Sequence, residues 1–170
     1  VFDHICCQII RAREAKSASA GLPDGTSETG NDIGVHGEEI GAKFIIVTHK
    51  NFLEAANSLK LYRETQAPVT ISTYVVDVDQ IYNEFSGGVM DPSAVRDYLK
   101  YAYDNWQIEP EYVLFFGKGT YDYKNIEGYG DNFVPTWQTV ESLIFVYQAD
   151  SYSTDDFFGR ISGSDNVVDV

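Results

Sequence analysis

The pattern of apolar and polar residues from residue 43 onward predicts strands separated by helices. Residues 44–47 (FIIV) form a short apolar run that is typical of a buried strand. Residues 69–78 (VTISTYVVDV) are rich in β-branched side chains and predict a second strand, before which Pro68 interrupts the intervening helix. The apolar residues of that helix recur at a spacing near 3.6: Phe52, Leu53, Ala56, Leu59 and Leu61.

The next helix carries the clearest local signals. Asp91 suits the N-cap and Pro92 suits the first turn. Pro110 ends the helix, and residues 111–116 (EYVLFF) are apolar almost throughout, as strands buried on both faces tend to be. The apolar residues of the helix form one stripe, which must cover a sheet: Ala94, Val95, Tyr98, Leu99, Ala102, Tyr103 and Trp106.

Strands that alternate with helices predict an α/β fold, with a parallel sheet, right-handed crossovers and flanking helices, as in Rossmann-like proteins. A loop-rich C-terminal segment follows this sheet. It contains a loop over residues 117–132, a candidate strand over 143–147, an acidic turn over 150–156 and a last apolar piece over 157–161.

The length of 170 residues suits one domain. Residues 17–42 are rich in Gly, Ser and Thr and have almost no large apolar side chains, which predicts a linker or a long surface loop. We therefore divide the chain into an N-terminal segment and flexible linker, residues 1–42, and one domain, residues 43–170.

The composition excludes several classes of protein. Apolar residues make up 44% and aromatic residues 14%, which excludes intrinsic disorder, and no apolar run approaches the roughly 20 residues of a membrane span. The 12 Lys and Arg residues against 26 Asp and Glu give a net charge of -14, which disfavours binding to nucleic acid or anionic lipid and favours cations as partners.

The glycine-rich sequence after the third strand, residues 117–122 (GKGTYD), is a candidate ligand loop because sites in parallel sheets lie at the carboxyl ends of the strands. It lacks the Lys-Ser/Thr pair that opens a helix in a Walker loop and the third glycine of a dinucleotide site. A turn in which glycine permits close approach of a ligand or another loop is the favoured interpretation.

Two acidic groups are candidate sites, the first for phosphoacceptor chemistry with a lysine such as Lys118 and the second for a cation. Asp77, Asp79, Asp122 and Asp131 could gather at the carboxyl edge as in a phosphoacceptor receiver, although the first strand ends in Thr-His-Lys and not in an acidic pair. The second group, residues 150–156, offers closely spaced oxygen ligands of the kind that calcium prefers, without the glycine and glutamate of an EF-hand. Asp122, Asp155 and Asp156 are the residues that we select, for calcium or for loop organisation.

No catalytic dyad or zinc site is convincing in this sequence. Cys6 and Cys7 are adjacent, which excludes a useful disulfide, and with His4 they occupy a short apolar segment that is a poor platform for preorganised geometry. His36 and His49 are scattered, and a zinc site needs three or four ligands.

Four segments in order resemble the gingipain-type cysteine peptidases, in particular the sortase-type peptidases of the type IX secretion system. The resemblance spans about residues 43–165. The segments are 84–92 (EFSGGVMDP), followed by the helix with Ala94, Val95, Arg96, Tyr98 and Leu99, then 112–122 (YVLFFGKGTYD), 132–136 (NFVPT) and 151–159 (SYSTDDFFG).

The resemblance implies a caspase-like α/β fold, of which this chain would be one half, in a secreted or surface-exposed bacterial hydrolase. The catalytic His and Cys of the family lie downstream of the matched stretch, so no catalytic residue is assigned and the chain is expected to be inactive alone. The implied partners are the remainder of the peptidase domain and a protein or peptide substrate, with structural calcium as the implied cofactor.

A stand-alone doubly wound module that binds a cation or a partner is the alternative interpretation. The fragment interpretation and the module interpretation predict different stabilities for the isolated chain. A fragment with half of a sheet exposes an edge and an apolar face unless its continuation covers them, so it should be less stable alone than a complete module. The receiver-like phosphoacceptor is the third and weakest hypothesis.

Overall fold

The computed structural model describes residues 9–11, 41–120, 122–128, 130–138, 153–162 and 168–169. Within them lie six strands and four α-helices, with a 3-10 turn before the first helix. In chain order they are β1 (Ile9–Arg11), β2 (Phe44–Thr48), the 3-10 turn (Lys50–Phe52), α1 (Leu53–Thr65), β3 (Thr73–Asp77), α2 (Val78–Phe85), α3 (Pro92–Asn105), β4 (Tyr112–Phe116), β5 (Trp137–Gln138), β6 (Ser153–Thr154) and α4 (Asp156–Gly159).

The main sheet has the strand order β1-β4-β2-β3. The strand β2 pairs in parallel with both β3 and β4, while β1 pairs with β4 in the antiparallel direction. The predicted α/β fold with a parallel sheet and flanking helices is confirmed for the three parallel strands β2, β3 and β4. The antiparallel β1 was not predicted, because its three residues lie in a segment without strand periodicity.

Alternate side chains of the strands enter two apolar layers. On one face, Ile45, Val47, Val76, Val113 and Phe115 pack with residues of α2 and α3. On the other face, Phe44, Ile46 and Leu114 pack with Ala56 of α1. All five residues of β2 are buried, as expected for the central strand of a sheet with helices on both faces.

The predicted helix after Asp91 is confirmed. The Asp91 carboxylate accepts a hydrogen bond from the Ser93 N–H at 2.8 Å, and Pro92 occupies the first turn, where its missing N–H costs no hydrogen bond. The predicted stripe faces the sheet: Ala94, Val95, Tyr98, Leu99, Ala102 and Trp106 are buried and Tyr103 is partly buried.

Two predicted elements need correction. The second strand begins at Thr73 and not at residue 69, because its ladder with β2 starts at the pair of Phe44 and Thr73. Before it, the Ile71 N–H donates to the Arg63 carbonyl of α1 at 3.1 Å, and Val69 is 71% exposed. The stripe of the first helix is narrower than predicted: Ala56 is its buried residue and Leu61 is 57% exposed. The helix α2, directly after β3, was not predicted.

The C-terminal segment is as poor in regular structure as predicted over the described part of residues 117–132. The acidic turn contains β6, which pairs with β5, and the apolar piece after it begins in the single-turn helix α4. The candidate strand at 143–147 lies outside the described residues, and so do residues 1–8 and 12–40 of the predicted N-terminal segment and linker, residues 1–42. Of the helices that the structure describes, none has the length and apolar character needed to cross a membrane.

Candidate functional site at the carboxyl edge of the sheet

The ends of β2 and β4 are joined at the edge where parallel sheets carry their sites. The buried Thr48 donates its hydroxyl to the Phe116 carbonyl at 2.8 Å. His49 follows, and its Nδ1 accepts a hydrogen bond from the Asn51 N–H at 3.2 Å, so it caps the 3-10 turn. This bond requires an unprotonated Nδ1, which places the proton of a neutral His49 on Nε2.

The acidic pair after β3 has structural partners. Asp77 caps α2 by accepting from the Asp79 N–H at 3.1 Å, and Asp79 forms an ion pair with Lys50, with an Nζ to Oδ2 distance of 3.0 Å. The hydrogen bond that the Lys50 ammonium donates to the Asp79 carboxylate raises the pKa of Lys50 above its ordinary value. These contacts assign the two carboxylates to helix capping and loop pairing.

The loop after β4 packs closely against another segment of the same chain, residues 133–134. The Lys118 carbonyl accepts from the N–H groups of Phe133 and Val134 at 2.9 and 3.1 Å. A Cβ at Gly117 would lie 2.7 Å from Val134 Cγ2, and a Cβ at Gly119 would lie 2.5 Å from the Val134 carbonyl oxygen. Both glycines are therefore needed for the approach of another loop. The sequence analysis gave the approach of another loop as one of two alternatives, the other being the approach of a ligand.

Asp122 organises the loop that follows. Its two carboxylate oxygens accept separate backbone hydrogen bonds, from Ile126 at 2.8 Å and from Glu127 at 2.7 Å. Asn125 has a positive φ of 51°, a conformation that Asn tolerates better than most residues, and its side chain accepts from the Gly130 N–H at 2.9 Å. The role in loop organisation that the sequence suggested for Asp122 thus has a direct geometric basis.

Asp155 and Asp156 lie at the start of α4 in different environments. Asp155 is 2% exposed, and its carbonyl accepts from the Phe158 N–H at 3.0 Å. Asp156 is exposed, with its carboxylate 3.9 Å from Arg160 Nη2.

Calcium at the selected aspartates stays a prediction. In the part of the chain that the structure describes, no group of three or more His, Cys, Asp or Glu side chains is arranged to hold a metal ion.

An aromatic cluster at this edge was missed by sequence reasoning. The ring of Phe133 packs against His49 at 5.1 Å and against Phe52 at 5.0 Å between centroids. Phe52 was predicted to lie on a helical stripe, but Phe133 follows no periodic pattern. Its position in the segment 132–136, which carries part of the family resemblance, was the one available signal.

A second cluster attaches the C-terminal segment to the core. Trp137 and Phe157 are stacked at 3.7 Å with an interplanar angle of 9°, and the Arg96 guanidinium lies 5.2 Å from the Phe157 ring centroid. Arg96 also donates from Nε to the Arg160 carbonyl at 3.0 Å. The neighbouring Phe158 is fully buried, 4.8 Å from the Phe115 ring of β4.

The third group comprises two tyrosines, Tyr82 of α2 and Tyr123 of the loop that Asp122 organises. Tyr123 donates its hydroxyl to the Thr136 carbonyl, which ties the Asp122 loop to the segment before β5. Burial raises the pKa of Tyr123, with a smaller contribution from the Asp91 carboxylate, and burial also raises the pKa of Tyr82. Both phenols therefore stay protonated to a higher pH than a free tyrosine does.

A comparison of the sequence with models of protein families identifies the family of this chain. The model described as peptidase family C25 matches residues 38–170. The chain belongs to peptidase family C25. This membership confirms the resemblance to the gingipain-type peptidases that the segments within residues 84–159 carry.

A solved structure extends the comparison of this C25 chain. It is similar to the crystal structure of dimeric latent PorU from Porphyromonas gingivalis, with 33% sequence identity and a TM-score of 0.61. The match covers 75% of this chain and 12% of the PorU chain, so the C25 chain spans a small part of that relative. A comparison with curated proteins finds no match.

The nucleophile and base of a cysteine peptidase are not both present in the described part of this C25 chain. That part contains one histidine, His49, and no cysteine. His49 Nδ1 is used in the cap of the 3-10 turn, and its ring is packed against Phe52 and Phe133. Cys6, Cys7, His4 and His36 lie outside the described residues.

Proposed function

We propose that this chain is the N-terminal, non-catalytic portion of a gingipain-like cysteine endopeptidase domain. The observation that carries the proposal is the family match over residues 38–170 together with coverage of 12% of PorU. The partners of the chain are the remainder of that domain and, through it, a protein or peptide substrate. By the same resemblance the parent enzyme acts in type IX secretion, in the secreted or outer-surface compartment.

The contacts at the carboxyl edge support a scaffold role. Thr48 joins the ends of two strands, Gly119 admits the segment around Val134, and Asp122 holds its own loop by two backbone hydrogen bonds. Each of these groups acts on the protein's own backbone. The edge is thereby built as a firm support for neighbouring loops, which is what a catalytic constellation needs from its surroundings.

The chemistry of the parent enzyme would reside in residues beyond those assigned here. A cysteine peptidase attacks the peptide carbonyl with a thiolate and uses a histidine to move the proton to the leaving amine. The described residues provide neither group in a reactive arrangement, which supports the proposal that this chain does not cleave peptides by itself.

Peptidase assays with two samples test the proposal. The purified chain, incubated with a quenched peptide library, is expected to give no hydrolysis above buffer. Co-expression with the protein segment encoded after residue 170 is expected to yield thiol-dependent hydrolysis that iodoacetamide abolishes. Failure of this complementation, with both segments folded, would contradict the assignment to a peptidase.

A double variant, Cys6→Ser with Cys7→Ser, serves as the matched control. Hydrolysis by the single chain that disappears both in this variant and after alkylation would place a nucleophile in residues 1–42 and overturn the non-catalytic assignment. Unchanged behaviour of the variant in the complemented sample is the expected result.

A further inference from the structure

One edge of the main sheet, the edge next to β4, is formed by a strand outside the family-matched region. Residues 9–11 pair with β4 in the antiparallel register Ile9 to Leu114, Ile10 to Val113 and Arg11 to Tyr112. The family model begins at residue 38, so β1 is an addition to the part of the chain that defines the family.

The direction of each backbone group of β4 follows from its bonds to β2. The Tyr112 N–H donates to the Lys43 carbonyl at 2.9 Å, on the β2 side. Successive residues of a strand direct their backbone groups to opposite sides, so Leu114 also faces β2, and Val113 faces β1. The pair of Ile10 and Val113 is therefore the one that exchanges both N–H and C=O groups.

The strand β4 has the character of an interior strand and needs a partner on this side. Its Val113 and Phe115 side chains are 0% and 1% exposed, and its sequence is apolar throughout. Backbone groups buried without a hydrogen-bond partner are costly, and an uncovered apolar strand is a template for pairing with another chain. In the described sheet, β1 is the strand on that side of β4.

We infer that the outer side of β4 is a strand-acceptor edge, that residues 9–11 are its occupant, and that this occupant prevents a second copy of the chain from pairing there. The three-residue register places Ile10 opposite Val113, whose backbone N–H and C=O groups point away from β2. A short antiparallel strand satisfies the main-chain groups of an edge in the manner of strand addition between proteins. The N-terminal segment thus protects the sheet of the domain.

Hydrogen exchange in the full chain tests the occupant directly. Proline at position 10 removes the N–H that donates to the Val113 carbonyl and disrupts the reciprocal bond, so Ile10→Pro should speed amide exchange at Val113 about tenfold. The Leu114 amide, which faces β2, is the internal reference and should not change.

Ile9→Pro is the matched control, because it makes the same chemical change with the same net charge. The Ile9 N–H points away from β4, where proline removes no bond of the ladder. We expect Val113 exchange in Ile9→Pro to equal that of the unmodified chain. Equal exchange rates at Val113 in the two variants would overturn the inference.

Light scattering over a range of concentrations tests the protective role. Ile10→Pro should form dimers and larger species as its concentration rises, whereas Ile9→Pro should remain like the unmodified chain. An Ile10→Pro protein that remains folded and behaves as the unmodified chain does at every concentration contradicts the protective role. If Ile10→Pro fails to fold, hydrogen exchange in the unmodified chain still tests whether residues 9–11 pair with β4. Unprotected exchange of the Val113 amide, together with a protected Leu114 amide, would contradict that pairing.

Discussion

The backbone of Gly119 lies directly against the Val134 carbonyl, so that a Cβ at position 119 would stand 2.5 Å from its oxygen. This contact joins the loop after β4 to the segment before β5. Because the obstructing atom belongs to the backbone, it cannot rotate away, and the two loops can lie together only if position 119 has no side chain.

Gly119→Ala is therefore expected to destabilise the chain by about 1–3 kcal/mol, as overpacking of a close contact does. Gly117→Ala is the matched control, because its Cβ would meet a side-chain atom, Val134 Cγ2, at 2.7 Å. A side chain can shift more easily than a backbone, so the loss at position 117 should be smaller. Urea unfolding of both variants measures the difference, and a larger loss for Gly117→Ala would contradict this account of the loop.

Asp122→Asn tests the organisation of the neighbouring loop. The substitution replaces one of two acceptor oxygens by an amide donor that faces a backbone N–H, so we expect a loss of about 1–3 kcal/mol. Limited proteolysis should show faster cleavage within residues 122–128. Asp131→Asn changes the charge equally at an exposed position and should leave both quantities unchanged. Equal behaviour of the two variants would exclude the proposed role of the Asp122 carboxylate.

The elements that could be predicted have local signals. The helix α3 has its N-cap, its proline and its apolar stripe within one stretch of sequence, and β4 is a short apolar run after a proline. The helix α2 could not be predicted in the same way. Asp77 is both the last residue of β3 and the N-cap of α2, and the β-branched Val78 continues the strand pattern into the helix.

The candidate site could be predicted only where one segment carries the whole signal. The paired glycines at 117 and 119 indicated a close approach, and the structure shows that approach. The approaching residues, Phe133 and Val134, could not be identified, because contacts between distant segments leave no periodicity in either one. The buried packing of Phe158 on Phe115 was inaccessible for the same reason.

The carboxylate of Asp77 provides a test between capping and phosphoacceptor chemistry. Asp77→Ala should cost about 1 kcal/mol through loss of the α2 cap, whereas Asp77→Asn should retain most of that stability because asparagine is an equally good cap. Thermal unfolding compares the two variants. Treatment of the unmodified chain with acetyl phosphate should leave its mass unchanged. A stable phosphoryl adduct at Asp77 would revive the receiver hypothesis.

Tyr98 provides a prediction for alkaline pH. Complete burial raises the pKa of Tyr98 well above its ordinary value, and its hydroxyl has no hydrogen-bond partner among the described residues. The unfolded phenol ionises near pH 10, whereas the folded one stays protonated. Because the pKa of Tyr98 is lower in the unfolded state than in the folded state, ionisation stabilises the unfolded state as pH rises above about 10. The free energy of unfolding therefore keeps its full value below that pH and falls above it.

Tyr98→Phe removes this ionisation and an unpaired buried hydroxyl. We expect the variant to be more stable by about 1 kcal/mol at neutral pH and to unfold at a higher pH in an alkaline titration followed by circular dichroism. Tyr62→Phe, at a residue that is 45% exposed, is the matched control and should change neither quantity. An alkaline midpoint for Tyr98→Phe that equals that of the unmodified chain would show that this phenol does not govern the loss of structure.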